Sequence, residues 1–223
     1  MTMNRTPATR LFAPRSILAA ALLALAASAG PGAAAPEAPA AAIPAQVDQA
    51  VAALRAITTL QADFVQTDRN GQRLAGVLTL QRPGKIRFQY QPGVPLLIVS
   101  DGSALTMIDY EVRQVQRWPI RNSPLGALLD PNKDVARYAT LNQTGHPDVV
   151  SMDVRDPRHP EYGSITMILL KKASAPGGLE LNSWVALDSQ SRRTTVRLSN
   201  QRYGAALPAN MFRWNDPRGT GRK

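Results

Sequence analysis

The chain predicts a mainly antiparallel β fold with helical cover, an incomplete, half-open β-barrel of about eleven strands. Three observations carry this. Short runs with two-residue alternation recur at regular spacing between Gly, Pro, Asn and Asp turns from residue 61 onward. A single long stretch of helical periodicity precedes them. The apolar content, 44% of 223 residues, is enough for a real core, and such a sheet has an apolar face that must be covered.

The first residues read as an export signal. Arg5, Arg10 and Arg15 form a positive region with no acid before Glu37. Ser16 to Ala29 is then apolar or small, too short for a span of ~20 residues. Ala33-Ala34-Ala35 offers a small-residue cleavage site before Pro36. Residues 1–35 are therefore expected to be a signal peptide cleaved near Ala35, and the mature protein to work in the periplasm. Without the three early arginines, 26 basic residues against 16 acidic ones leave a charge of about +7. Residues 36–45 are mostly Pro and Ala and read as a linker. Residues 46–215 form the folded domain, and 216–223 a flexible basic tail.

Within the domain, Val47, Ala50, Val51, Leu54 and Ile57 make one apolar stripe and predict a helix from Gln46 to about Leu60. Strands follow over 61–67 and 72–80, joined at Asn70-Gly71, a hairpin signal. Lys85 to Tyr90 alternates, with Ile86, Phe88 and Tyr90 on one face. Further strands are expected at 96–100, 105–108, 114–118, 138–141, 149–154, 164–170, 179–187, 194–198 and 211–214. Ser123 to about Val135 predicts a second helix, with Pro124 in its first turn and Leu125, Leu128 and Leu129 on one face. Pro131 interrupts it, which suits a movable flap better than a core element.

The chemistry is sparse. Absence of cysteine excludes disulfides, thiolate metal sites, cysteine nucleophiles and a cysteine-borne lipid anchor. Two histidines argue against a histidine-rich metal site. No G-x-S-x-G, H-E-x-x-H, Walker or G-x-G-x-x-G pattern occurs. Asp156, His159 and Ser164 stand too close together among prolines to act as a triad and read as a hairpin loop. An enzyme is disfavoured, and no cofactor is expected. The basic residues are dispersed without aromatic interleaving, which argues against nucleic acid. A mildly basic surface meeting acidic proteins or anionic headgroups is the simpler account.

Several segments together resemble a known family. Leu60-Gln61-Ala62-Asp63-Phe64-Val65-Gln66, then Leu80 to Tyr90 with Arg82-Pro83-Gly84-Lys85, then Ile98-Val99-Ser100-Asp101-Gly102 and Gln114-Val115, are similar to the periplasmic outer-membrane lipoprotein carriers, the LolA-like family. Asn122-Ser123-Pro124-Leu125 with Leu128-Leu129 is similar to their lid helix, and Asp188 to Leu198 and Pro208 to Trp214 to their closing strands. Phe88 stands where the family usually has Trp, and the chain stops soon after Trp214, where some members add a strand. The resemblance implies a half-barrel closed by the N-terminal helix and a short lid helix. It implies a lipid cavity walled by Phe64, Leu78, Leu80, Ile86, Phe88, Tyr90 and Val99, under a lid held by Arg82, Leu125, Leu128 and Leu129. The implied partners are acylated lipoproteins, an inner-membrane ATP-driven releasing complex and an outer-membrane receptor, with the carrier a monomer. The missing cysteine selects the soluble carrier over its lipid-anchored receptor.

On pattern alone, Ile86, Phe88 and Tyr90 serve equally as ordinary core, Arg82 as a turn residue, and the three leucines as a fixed helix. A soluble carrier of another lipid and a lipid-sensing regulator of envelope stress remain alternative readings.

Overall fold

The computed structural model describes residues 42–219 except 124, 131 and 132. The expected signal peptide with its cleavage site, the linker up to residue 41, Pro124 and the last four residues of the tail lie outside the described residues. Helix α1, Ala42–Ala56, opens the domain, so its first turns take in the end of the expected linker. The β-branched run Ile57-Thr58-Thr59 ends it, and Leu60, expected at the helix end, belongs to the first strand. Val47, Ala50, Val51, Ala53 and Leu54 are buried along one stripe. Gly177 sits directly on this stripe. A Cβ there would come within 2.7 Å of the Cα of Ala53.

Eleven strands follow among the described residues: β1 (Thr59–Thr67), β2 (Arg73–Gln81), β3 (Lys85–Tyr90), β4 (Leu96–Asp101), β5 (Ala104–Asp109), β6 (Gln114–Pro119), β7 (Ala139–Asn142), β8 (Val149–Arg155), β9 (Ser164–Lys171), β10 (Leu179–Leu187) and β11 (Arg193–Tyr203). They form one antiparallel sheet in the order β6-β5-β4-β3-β2-β1-β11-β10-β9-β8-β7. β1 and β11 pair near the middle, and β6 and β7 are free edges, so the sheet is not closed into a barrel.

An aspartate ends the strand or opens the turn at four hairpins. Asp68 Oδ1 accepts the N–H groups of Asn70 and Gln72 at 2.8 and 2.9 Å. Asp101, Asp109 and Asp188 do the same at their own turns. The short carboxylate satisfies turn N–H groups that no strand can reach.

The inner face holds the main core. Leu60, Ala62 and Phe64 of β1 face Leu78 and Leu80 of β2 and Ile86, Phe88 and Tyr90 of β3. Met152, Met167, Leu169, Leu181 and Trp184 extend it across the other half. Gly76 lies opposite Tyr90, where a Cβ would come 2.1 Å from the main-chain oxygen of Gln89.

Two expectations fail. Residues 211–214 form no strand but lie in turns, where Phe212 and Trp214 pack on Leu97, Val99 and Ile108 of the opposite, outer face. Arg87 Nη1 donates to the main-chain oxygens of Met211 and Arg213 at 3.3 and 2.9 Å, fixing the segment there. Its N–H groups are spent locally, Met211 N–H on Pro208 O and Arg213 N–H on Asn210 O, so neither edge of the segment is left to pair with a strand. The expected lid helix over 123–135 is instead a 3-10 turn at Ile120–Asn122 and one helical turn, α2 (Gly126–Leu129). Gly126 lies so close to the preceding turn that a Cβ would meet Ile120 O at 2.9 Å.

Candidate functional site: an apolar cavity under a single helical turn

The cavity is about 220 Å³ and lies against the inner face of the sheet. β3 and β4 contribute Phe88 and Ile98, and β5 and β6 contribute Leu105 and Trp118. Trp184, Ala186 and Val196 line it from β10 and β11, and Leu125 covers it. The register explains the set. Phe88 pairs with Ile98, Leu105 with Trp118, and Trp184 with Val196, so partners on adjacent strands share the inner face.

Aromatic rings set the floor. Phe64 meets Phe88 and Tyr90 edge-on, each at 5.3 Å, and Phe88 meets Trp184 at 6.2 Å. Such edge-to-face pairs favour a fixed cluster. Burial pushes the Tyr90 phenol well above its ordinary pKa, and its hydroxyl donates to Gln66 Oε1 at 2.8 Å. The polar lining groups are Gln66, Ser123, Thr194 and the ion pair Arg192–Asp188 at 2.6 Å. Burial alone would raise the Asp188 carboxyl. Hydrogen bonds from Arg192 and Gln190 and the charge of Arg192 outweigh it and hold the group below the usual carboxylate range.

The residues expected at the site fall into three places. Phe64, Leu78, Leu80, Ile86, Phe88 and Tyr90 are all buried in the inner-face core, and of these Phe88 borders the cavity itself. Val99 is misplaced: it pairs with the outward Arg87 and packs in the outer cluster with Phe212 and Trp214. In the run Leu96-Leu97-Ile98-Val99 every residue is apolar, so alternation gives no face. The pairing of Phe88 with Ile98 is what decides it.

Leu125 lines the cavity, while Leu128 and Leu129 are 1% exposed and plug the core beside it. Arg82 lies in a separate small space with Val51, Leu54, Arg55, Ala127, Asp130, Lys133 and Val135. Its Nε is buried without a hydrogen-bond partner. Among the described residues its guanidinium makes no bond to a carbonyl of α2. Burial first, and the charge of Arg55 second, lower its pKa.

Ile98, Leu105, Trp118, Trp184, Ala186 and Val196 escaped sequence reasoning. Trp118 and Trp184 were visible only as large apolar residues suited to packing. The two motifs, Arg82-Pro83-Gly84-Lys85 and Val99-Ser100-Asp101-Gly102, touch: Ser100 Oγ donates to Gly84 O at 2.7 Å, and a Cβ on Gly84 would lie 2.8 Å from Gly102 O. Their co-occurrence is a packing requirement between two turns.

No His, Asp and Glu cluster among the described residues could hold a metal ion. His159 faces Glu161 at 2.9 Å and stacks on Tyr162. No described helix is long and apolar enough to cross a membrane.

An open antiparallel sheet with an apolar cavity on its inner face is the architecture of a hydrophobic-ligand-binding protein. The family model described as outer membrane lipoprotein carrier protein LolA matches residues 55–215, and the chain belongs to that family. A protein named outer-membrane lipoprotein carrier protein from Chromobacterium violaceum is 34% identical over 192 residues, 79% of this chain and 87% of its own. A protein of the same name from Dechloromonas aromatica is 31% identical over 182 residues, 78% of this chain and 85% of its own. Among solved structures, an outer membrane lipoprotein-sorting protein domain from Vibrio parahaemolyticus is similar at 13% identity and a TM-score of 0.44, covering 75% of this chain and 95% of that one.

Proposed function

We propose that this protein is an exported periplasmic carrier that holds lipoprotein acyl chains in the cavity beneath Leu125. It accepts cargo from an inner-membrane ATP-driven complex and yields it to an outer-membrane receptor. The observation that carries the reading is the cavity: aromatic and aliphatic side chains on the sheet side, a leucine on the lid side, and few polar groups among them. Membership of the carrier family and the names of the relatives support it.

The size of the cavity is informative. At about 220 Å³ it is smaller than the ~300–1,000 Å³ of ordinary ligand sites. Three acyl chains need more room, so loading requires Leu128 and Leu129 to withdraw from the core. That cost is useful. Full burial of ~45 methylenes at ~0.8 kcal/mol each is worth ~36 kcal/mol, beyond the ~18–21 kcal/mol at which non-covalent affinity saturates. A carrier that must expel two leucines to load holds cargo loosely enough to release it.

Native mass spectrometry of the protein isolated from periplasm tests the reading. A one-to-one complex with a triacylated lipoprotein is the expected result. Recovery with a different lipid, or with proteins lacking acyl chains, overturns it.

A further inference from the structure

The outer face carries a second feature. On β11, Arg193, Thr195 and Arg197 alternate outward. Thr195 pairs with Thr67, and Thr67 pairs with Arg73 of β2, so Arg73 stands in line with this row two strands away. Arg69, in the β1–β2 turn, completes a groove of about 520 Å³ bordered by all four arginines. All four arginines are exposed, and none has an acidic partner within ion-pair distance among the described residues. Asp68, the one acid in the groove, spends Oδ1 on the N–H groups of Asn70 and Gln72. Asp63, further along the face, is bonded by Asn200 at 2.6 Å. Four positive charges around one carboxylate repel one another, and an anion relieves them.

Topology places this groove beside the cavity. In an antiparallel sheet the turns after β1, β3, β5 and β10 lie at one end. The same end carries Asp188 and Arg192 of the cavity. It also carries the exposed apolar residues Tyr110, Val112 and Leu187, with Leu187 paired to Arg193. Arginines interleaved with exposed apolar side chains match a surface that is anionic outside and apolar beneath, which is a bilayer interface. An acidic protein segment would use the charges but leave Val112, 65% exposed, without a role.

We propose that the groove of Arg69, Arg73, Arg193 and Arg197 docks onto the anionic phosphate headgroups of a bilayer, turning toward the lipid the rim of the cavity that carries Asp188 and Arg192. This goes beyond carriage of acyl chains and holds for the empty protein.

The experiment is flotation of the cargo-free protein with vesicles of phosphatidylglycerol and phosphatidylcholine, against pure phosphatidylcholine. Binding to the anionic vesicles that weakens with salt is expected. Arg73→Gln/Arg193→Gln/Arg197→Gln should bind about 100-fold more weakly. Arg121→Gln/Lys171→Gln/Arg202→Gln removes equal charge at the opposite end and should bind as wild type. Circular dichroism of both variants verifies folding. Equal loss in both variants overturns the proposal, since net charge alone then governs binding. So does wild-type protein that ignores anionic vesicles, the result an acidic protein partner would give. Competition by millimolar inorganic phosphate as strong as that by vesicles also overturns it, because the groove is then a site for free phosphate.

Discussion

Phe88 on β3 and Trp184 on β10 meet edge-on with ring centroids 6.2 Å apart. Four strand spacings separate them in the sheet. A flat sheet would place their backbones about 19 Å apart. The contact therefore measures the curvature of the sheet, and the cavity lies in the bend.

Trp118 and Trp184 border that cavity, and Trp214, the third tryptophan, packs on the outer face. Variants retaining one tryptophan each, the others changed to Phe, should report this. A brominated acyl chain is expected to quench the Trp118-only and Trp184-only proteins strongly, because both rings line the cavity that would hold it. The Trp214-only protein should be unaffected, and quenching of all three equally would place the ligand elsewhere.

Arg82 is a charge near the lid with an unpartnered buried nitrogen. Replacing such a group with an apolar one of similar volume is often stabilising. Arg82→Leu should raise the melting temperature and slow loading with labelled lipoprotein, while release to a receptor becomes no slower, because the closed, empty state then packs better. A lowered melting temperature with slower release would mean the guanidinium stabilises the closed state.

Gly76→Ala should cost about 3 kcal/mol, the upper range for overpacking. The added methyl meets main-chain oxygen, which cannot swing aside as a side chain can. Urea unfolding reads it, and an unchanged midpoint refutes the β2–β3 register.

Asp101 predicts a pH dependence. Burial alone would raise its carboxyl, but N–H bonds from Ala104 and Ser103, the Ser103 hydroxyl and Arg117 at 2.6 Å hold it at about 2. A pKa lower in the folded state gives stability that is present above the ordinary value near 3.8 and lost as pH falls toward 2. Asp101→Ala should melt roughly 2–4 °C lower at pH 7. The gap to wild type should close between about pH 4 and pH 2. A gap independent of pH would assign the loss to the turn alone.

Arg87 ties the segment 211–214 to the outer face. In Arg87→Ala, trypsin should cut after Arg213 several-fold faster, and an apolar dye should bind Leu97, Val99 and Ile108 as the segment lifts. Unchanged cleavage would show that Phe212 and Trp214 hold it without help.

What the sequence determined by itself was local. Alternation set the inner face of Lys85–Tyr90, aspartates and glycines set the turns, and Val47, Ala50, Val51 and Leu54 set the buried stripe of α1, because each depends on residues a few positions apart. Tertiary structure decided what needed a partner strand. Val99 and Ile98 are equally apolar, and only pairing with Phe88 sends Ile98 inward. Residues 211–214 have the composition of a strand, but Arg87 takes their carbonyls. The end of the lid turn was legible, since Asp130 precedes a proline and is extended, but the close pass of Gly126 against Ile120 O is a contact no local pattern announces. The cavity itself is a product of curvature, which brings β3 to β10 through three intervening strands and has no signature in any single segment.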